Sequence, residues 1–214
     1  MTPFLEELRI QRWDDHRLYH QSRVNQSLHL LSACTFLVVY VLMWFRPAEA
    51  AVLGWVVAMW VRQTGHFFFE PRGFDTVNNM DFQTKEAIKV GFNLSRKVVL
   101  LAVWLAIPVF FYVDSTALGL FEPAATSRIL LDRIGWSWIG LAFSGLCART
   151  FWLIATRNVQ TGTVWFIKIL TDPFNDIKWY WKSPYYLLKG QLLDPMNHVV
   201  HLEEHEGAHG TPAS

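Results

Sequence analysis

Cysteine is nearly missing from this 214-residue chain: Cys34 and Cys147 are its only two, and both sit in apolar runs. That excludes a disulfide framework, and two thiolates alone cannot build a cysteine zinc site. Charge is scarce as well, at 17% of residues with a net +1, so there is no basic surface of the kind that binds nucleic acid. The opening residues, Met1-Thr2-Pro3-Phe4-Leu5-Glu6-Glu7, hold neither a basic n-region nor an apolar h-region, and no cleaved signal peptide is expected. No inverted repeat is visible and few polar residues fall at mid-membrane depth, which argues against a transporter.

What the chain has instead is apolar and aromatic bulk. It is 52% hydrophobic and 15% aromatic, with eleven tryptophans, unusual for a soluble domain. Four segments are long and apolar enough to span a bilayer: Leu28 to Phe45, Ala50 to Phe69, Val98 to Val113 and Ile134 to Ala155. The third carries Pro108, a potential kink. The fourth carries Gly140, Ser144 and Ala148 at four-residue spacing, a small-residue face suited to close helix packing. The expected fold is an all-α membrane protein of about four transmembrane helices with interfacial N-terminal and C-terminal helices. Residues 1–206 read as one helical membrane domain and 207–214 as a disordered tail.

Basic residues set the expected topology. They cluster before the first span, between the second and third, and after the fourth. The positive-inside rule then places both termini in the cytoplasm of a multi-pass protein, in a bacterial inner membrane or the endoplasmic reticulum. Residues 3–20 read as an interfacial helix. The aromatic stretch Trp165-Phe166, Trp179-Tyr180-Trp181 and Tyr185-Tyr186 is interrupted too often by charge to span, and is expected along the membrane surface. Two tetrads there, Asp172-Pro173-Phe174-Asn175 and Asp194-Pro195-Met196-Asn197, each read as the start of a short helix.

Three polar groupings could carry chemistry. His20, Asn25 and His29 open the first span, with Asn25 and His29 four apart on one helix face. Arg62, Gln63, His66 and Glu70 share a face at the end of the second, where polar groups are costly unless they meet protein or a cavity. Glu70 could fix the His66 tautomer, and Gly65 permits close approach of another backbone. His198, His201 and His205 form a stripe that a second metal could use, though exposed histidines on a polar helix are usually just solvated. The bland readings of the first two are interfacial histidines bonded to backbone or water, and a snorkelling Arg62 paired with Glu70. Arg149, near the cytoplasmic end of the last span, could bind a substrate carboxylate or simply snorkel.

The pattern Tyr19-His20-x4-Asn25-x3-His29, then Gln63-x-Gly65-His66-x3-Glu70, resembles the small membrane proteins of the 2-hydroxy fatty acid dioxygenase family, over about residues 17–72. The resemblance implies an iron(II)-dependent oxygenase of fatty acid α-oxidation, taking O2 and a lipid-like acid. It implies His20, His29 and His66 as metal ligands, with Asn25, Gln63 and Glu70 in support. Two rivals are open: a di-iron lipid hydroxylase that recruits His198, His201 and His205, and a non-enzymatic subunit of a membrane complex. Self-association into a homo-oligomer is also left open.

Overall fold

The computed structural model describes residues 3–88 and 94–196, and all its elements are helices. They are α1 (Phe4–Tyr19), α2 (Arg23–Leu42), α3 (Pro47–Leu53), α4 (Trp60–Thr64), α5 (Phe82–Ile88), α6 (Leu94–Val113), α7 (Ser127–Thr156), α8 (Val159–Tyr180) and α9 (Ser183–Leu188). Two π-helical turns, Gly54–Met59 and Gly65–Phe69, lie on either side of α4. The stripe from His198 to His205 and the tail 207–214 fall outside the described residues.

Among the described residues three helices are long and apolar enough to cross a membrane: α2, α6 and α7. The expected second span is instead a chain of short segments, α3, a π turn, α4 and a second π turn, with helical backbone at each junction. α6 and α7 leave Val99, Val109, Tyr112, Phe143, Phe151 and Trp152 exposed, a surface suited to lipid. Between them and α3 sits an aromatic core. Trp55 stacks on Trp104 at 4.6 Å, and Trp138 Nε1 donates to the Trp104 carbonyl at 2.9 Å.

Close helix packing does occur on α7, but not on the expected face. Gly140, Ser144 and Ala148 point outward, and a Cβ on Gly140 would meet nothing within 4 Å. The close approach is at Gly135, where a Cβ would lie 2.6 Å from the Ala48 carbonyl oxygen of α3. The expected face is presented to the surroundings because α7 turns its apolar N-terminal half, Ile134 and Trp138, onto the aromatic core.

The C-terminal part departs most from expectation. Asp172-Pro173 does not start a helix; it lies in the middle of α8, which Asn158 caps by accepting from Thr161 N at 2.8 Å. α8 packs against α1, α2 and α7, with Trp165 and Tyr180 buried. Its charges face inward: Lys168, Asp172 and Asp176 recur every fourth residue on one stripe and are all buried. The second tetrad, as far as Met196, is not helical either. Its Asp194 pairs with Arg23 at 3.0 Å and accepts from Gln26 Nε2 at 2.9 Å. Backbone bonds from Arg23 N to the Leu192 carbonyl (2.9 Å) and from Asp194 N to the Gln21 carbonyl (2.8 Å) strap residues 192–194 across the start of α2.

One buried carboxylate organises the turn after the second π segment. Asp75 accepts from Gln21 Nε2 at 2.7 Å and Asn78 Nδ2 at 2.8 Å, and pairs with the buried Lys85 at 3.2 Å. Burial pushes its pKa up, but the bonds from Gln21 and Asn78 and the Lys85 charge together hold it below the usual carboxylate value. A carboxyl depressed on folding contributes stability that is fully present above about pH 4 and is lost as pH falls through the folded value. Asp75→Asn should therefore lower the unfolding free energy near neutrality by about 1–3 kcal/mol, since Lys85 is left buried without its counterion. Unfolding in detergent against pH checks this: the gap between wild type and variant should narrow below pH 4, and a constant gap would count against it.

Candidate metal centre

Three histidines from three separate elements meet in the interior. His20 follows α1, whose last turn ends where the His20 N–H bonds the His16 carbonyl. His29 lies two turns into α2, whose start Ser22 caps by accepting from Asn25 N at 3.4 Å. His66 lies in the second π turn, a rare geometry that gathers at functional sites. The exposures are 4%, 0% and 7%, so water is largely excluded.

The ring orientations are the informative part. His20 Nε2 lies 3.2 Å from His29 Nε2, which lies 3.1 Å from His66 Nε2. One ligand nitrogen from each ring falls within 4.8 Å of the others. The far side of each ring faces an acceptor. His20 Nδ1 is 3.0 Å from the Asp15 carbonyl, His66 Nδ1 is 3.2 Å from Glu70 Oε2, and His29 Nδ1 is 3.6 Å from Asp176 Oδ2. A carbonyl or carboxylate oxygen only accepts, so the protons of His20 and His66 belong on Nδ1. Their Nε2 lone pairs then point at one another and at His29. In an empty interior such lone pairs repel; around a cation they are ligands. A metal–nitrogen bond of about 2.1 Å puts neighbouring ligand nitrogens about 3.0–3.4 Å apart in right-angled to tetrahedral arrangements. The His20–His29 and His29–His66 separations fall in that range, so the three rings could hold a divalent first-row metal, and imidazole suits zinc, copper, iron or nickel.

Electrostatics agree with neutral ligands. Burial lowers the His20 pKa well below its ordinary value, and the neighbouring His29 and His66 rings lower it further. Burial raises Asp176 above the usual carboxylate range, opposed by the Arg62 guanidinium 3.0 Å away.

The supporting residues of the motif divide by role. Asn25 is fully buried and donates Nδ2 to the Tyr19 carbonyl at 2.7 Å, fixing the chain just before His20. Gly65 is the close approach its type implies: a Cβ there would fall 2.0 Å from Asn25 Oδ1. Glu70 bonds His66, as the spacing implies. Gln63 is buried with Nε2 on Met59 Sδ at 3.4 Å and Oε1 without a hydrogen bond. Arg62 pairs with Asp176 of α8 rather than with Glu70. Arg149 is half-buried on α7 with Arg96 as an electrostatic neighbour, so it belongs to the α6–α7 side.

Several residues around the centre carry no motif signal. Gln26 donates to the His20 carbonyl at 2.7 Å and accepts from Arg23 Nη1 at 2.9 Å and Ser183 Oγ at 2.5 Å, which ties His20 to α9. Tyr180 sits 5.5 Å from the His20 ring, and its hydroxyl lies 3.2 Å from His16 Nδ1. The four-residue spacing of Lys168, Asp172, Asp176 and Tyr180 is a signal in the sequence, masked by Asp172-Pro173, which also suits a helix start.

Residues 10–81, about a third of the chain, match the family model described as 2-hydroxy-palmitic acid dioxygenase Mpo1-like. No curated protein and no solved structure matches the chain. The matched segment carries His20, His29 and His66 together with Asn25, Gln63, Gly65 and Glu70. This segment is similar to that family, and its three histidines meet in one buried centre.

Proposed function

We propose that this protein is an iron(II)-dependent membrane oxygenase that shortens a 2-hydroxy fatty acid by one carbon, using O2. The observation that carries the reading is the convergence of three Nε2 atoms whose rings each turn Nδ1 toward an acceptor. His20, His29 and His66 would hold the metal. When bound, iron with three imidazole ligands would supply open coordination positions for O2 and for the hydroxyl and carboxylate of the substrate.

The rest of the work falls to the chain. The Asp15 carbonyl and Glu70 keep the His20 and His66 protons on Nδ1, leaving each Nε2 free to coordinate. Tyr19 and Tyr180 wall the site with their rings and help exclude water. Arg62, Lys97 and Lys168 place positive charge near His29, with Arg62 balanced by Asp176 and Lys168 by Asp15 and Asp172. The apolar faces of α2, α6 and α7 suit an acyl chain in a bilayer. In this reading the α3–α4 run is the fourth crossing, and the basic loops put both termini on the cytoplasmic side.

The test is metal content and turnover of the detergent-purified chain, wild type beside His66→Ala. Wild type should carry about one iron per chain after anaerobic reconstitution. It should convert 2-hydroxypalmitic acid under oxygen to the acid one carbon shorter, read by mass. The variant should lose both. Full turnover by His66→Ala would sink the proposal.

A further inference from the structure

We infer that Asp176 is the positioning residue that holds His29 in the centre, so that α8 is part of the functional unit although it lies outside the segment that carries the histidine motif. The inference rests on the metal-centre reading above and extends it to a residue that no motif marks. Two of the three rings have their Nδ1 atoms bonded, by the Asp15 carbonyl and by Glu70. The third, on His29, is the exception. Its buried Nδ1 has no hydrogen bond, and neither does the buried Asp176 Oδ2 that faces it 3.6 Å away. The unbonded His29 Nδ1, a donor in the ligand tautomer, is a few tenths of an ångström from bonding that acceptor. Arg62 Nη2 holds the same carboxylate oxygen at 3.0 Å. Asp176 thus lies between a cation and a ligand ring, where an acceptor fixes ring orientation and raises ligand basicity.

The bland alternative is that Asp176 serves only as the counterion of Arg62. Two double variants of the full chain in detergent separate the readings. Arg62→Met/Asp176→Asn and Arg62→Met/Asp176→Leu both remove the ion pair, but only the first keeps an oxygen acceptor for His29 Nδ1. Cobalt(II) is the probe, with its visible absorption as the readout. The leucine variant should bind cobalt about 10–100-fold more weakly than the asparagine variant, the usual cost of losing such a partner. Equal affinities would overturn the inference while leaving the metal centre standing. Wild type that binds neither cobalt(II) nor iron(II) would overturn the metal-centre reading and this inference with it. Asp176→Glu guards against a leucine variant that does not fold: it keeps the charge but moves the carboxylate by one methylene. A changed cobalt absorption band is expected there, and an unchanged band would also overturn the inference.

Discussion

Replacing Lys168 with methionine should destabilise the protein by about 3–5 kcal/mol, the range seen when one member of a buried ion pair is removed. Lys168 is buried on α8 and bonds two carboxylates: Asp15 of α1, and Asp172 one turn further along α8 at 2.9 Å. Burial by itself would push its pKa down, but Asp15 and Asp172 push harder, so the net shift is upward and the ammonium stays charged through the neutral range. A pKa raised on folding contributes stability that is complete below the unfolded value and fades only as pH climbs through the folded one. Methionine fills the volume but leaves Asp172 buried without its cation, and Asp176 lies one turn away. The loss should appear as a lower unfolding midpoint in detergent, or as failure to purify a folded chain. Lys168→Met/Asp172→Leu should recover much of it, because Asp15 keeps a third of its side chain exposed and can return to water. A double variant no more stable than the single would contradict the account.

Gly65→Ala is the second large effect, and it joins stability to the centre. Its Cβ would lie 2.0 Å from Asn25 Oδ1 and 3.0 Å from Asn25 Cγ. A side chain free to swing would absorb that overlap at little cost. Asn25 is not free, because its Nδ2 is bonded to the Tyr19 carbonyl at 2.7 Å, one residue before His20. Either that bond breaks or the second π turn backs away from α2, and the latter pulls His66 from His29. Overpacking of this kind costs about 1–3 kcal/mol, and a shift of even half an ångström disturbs a three-ligand centre. The variant should unfold earlier and bind iron(II) or cobalt(II) weakly. Adding Asn25→Ala should relieve the clash and restore stability beyond the sum of the single effects, which a double-mutant cycle would read. Normal metal binding with an unchanged unfolding midpoint would show that the approach of α2 to the π turn is looser than described.

Both predictions turn on residues whose meaning depends on what lies across from them. The helical class, the apolar extents of α2, α6 and α7, and the set His20, His29 and His66 were legible in order along the chain. They rest on local physics: apolar length against a bilayer, three- and four-residue spacing on a helix face, and imidazoles beside a glycine. Glu70 was legible for the same reason, being four residues from its partner. The α3–α4 run was legible as an apolar stretch but not as a sequence of π turns, because helical spacing carries no mark of a widened turn.

The two Asp-Pro tetrads fail as helix starts, and the charges of α8 turn out buried, for a physical reason. Lys168, Asp172 and Asp176 look like interruptions of an apolar face when their partners are unknown, and charge without a partner belongs in water. Their partners are Asp15 and Arg62, more than a hundred residues earlier in the chain. Pro173 adds to this, since Asp-Pro suits a helix start as well as it fits inside this one. The outward turn of Gly140, Ser144 and Ala148 was likewise invisible, because a helix with apolar residues all round does not declare which side meets protein.

The sequence by itself therefore determined the all-helical class, the apolar lengths and the spacing of the histidine motif, each read from residues near one another in the chain, and showed that Gly65 permits a close approach without showing to what. Only the tertiary structure decided that the three Nε2 atoms converge, that α8 carries buried charge beneath them, and that Asp176 faces His29. Those facts are pairings across 9 to 153 residues, set by how the helices pack and not by any periodicity along the chain.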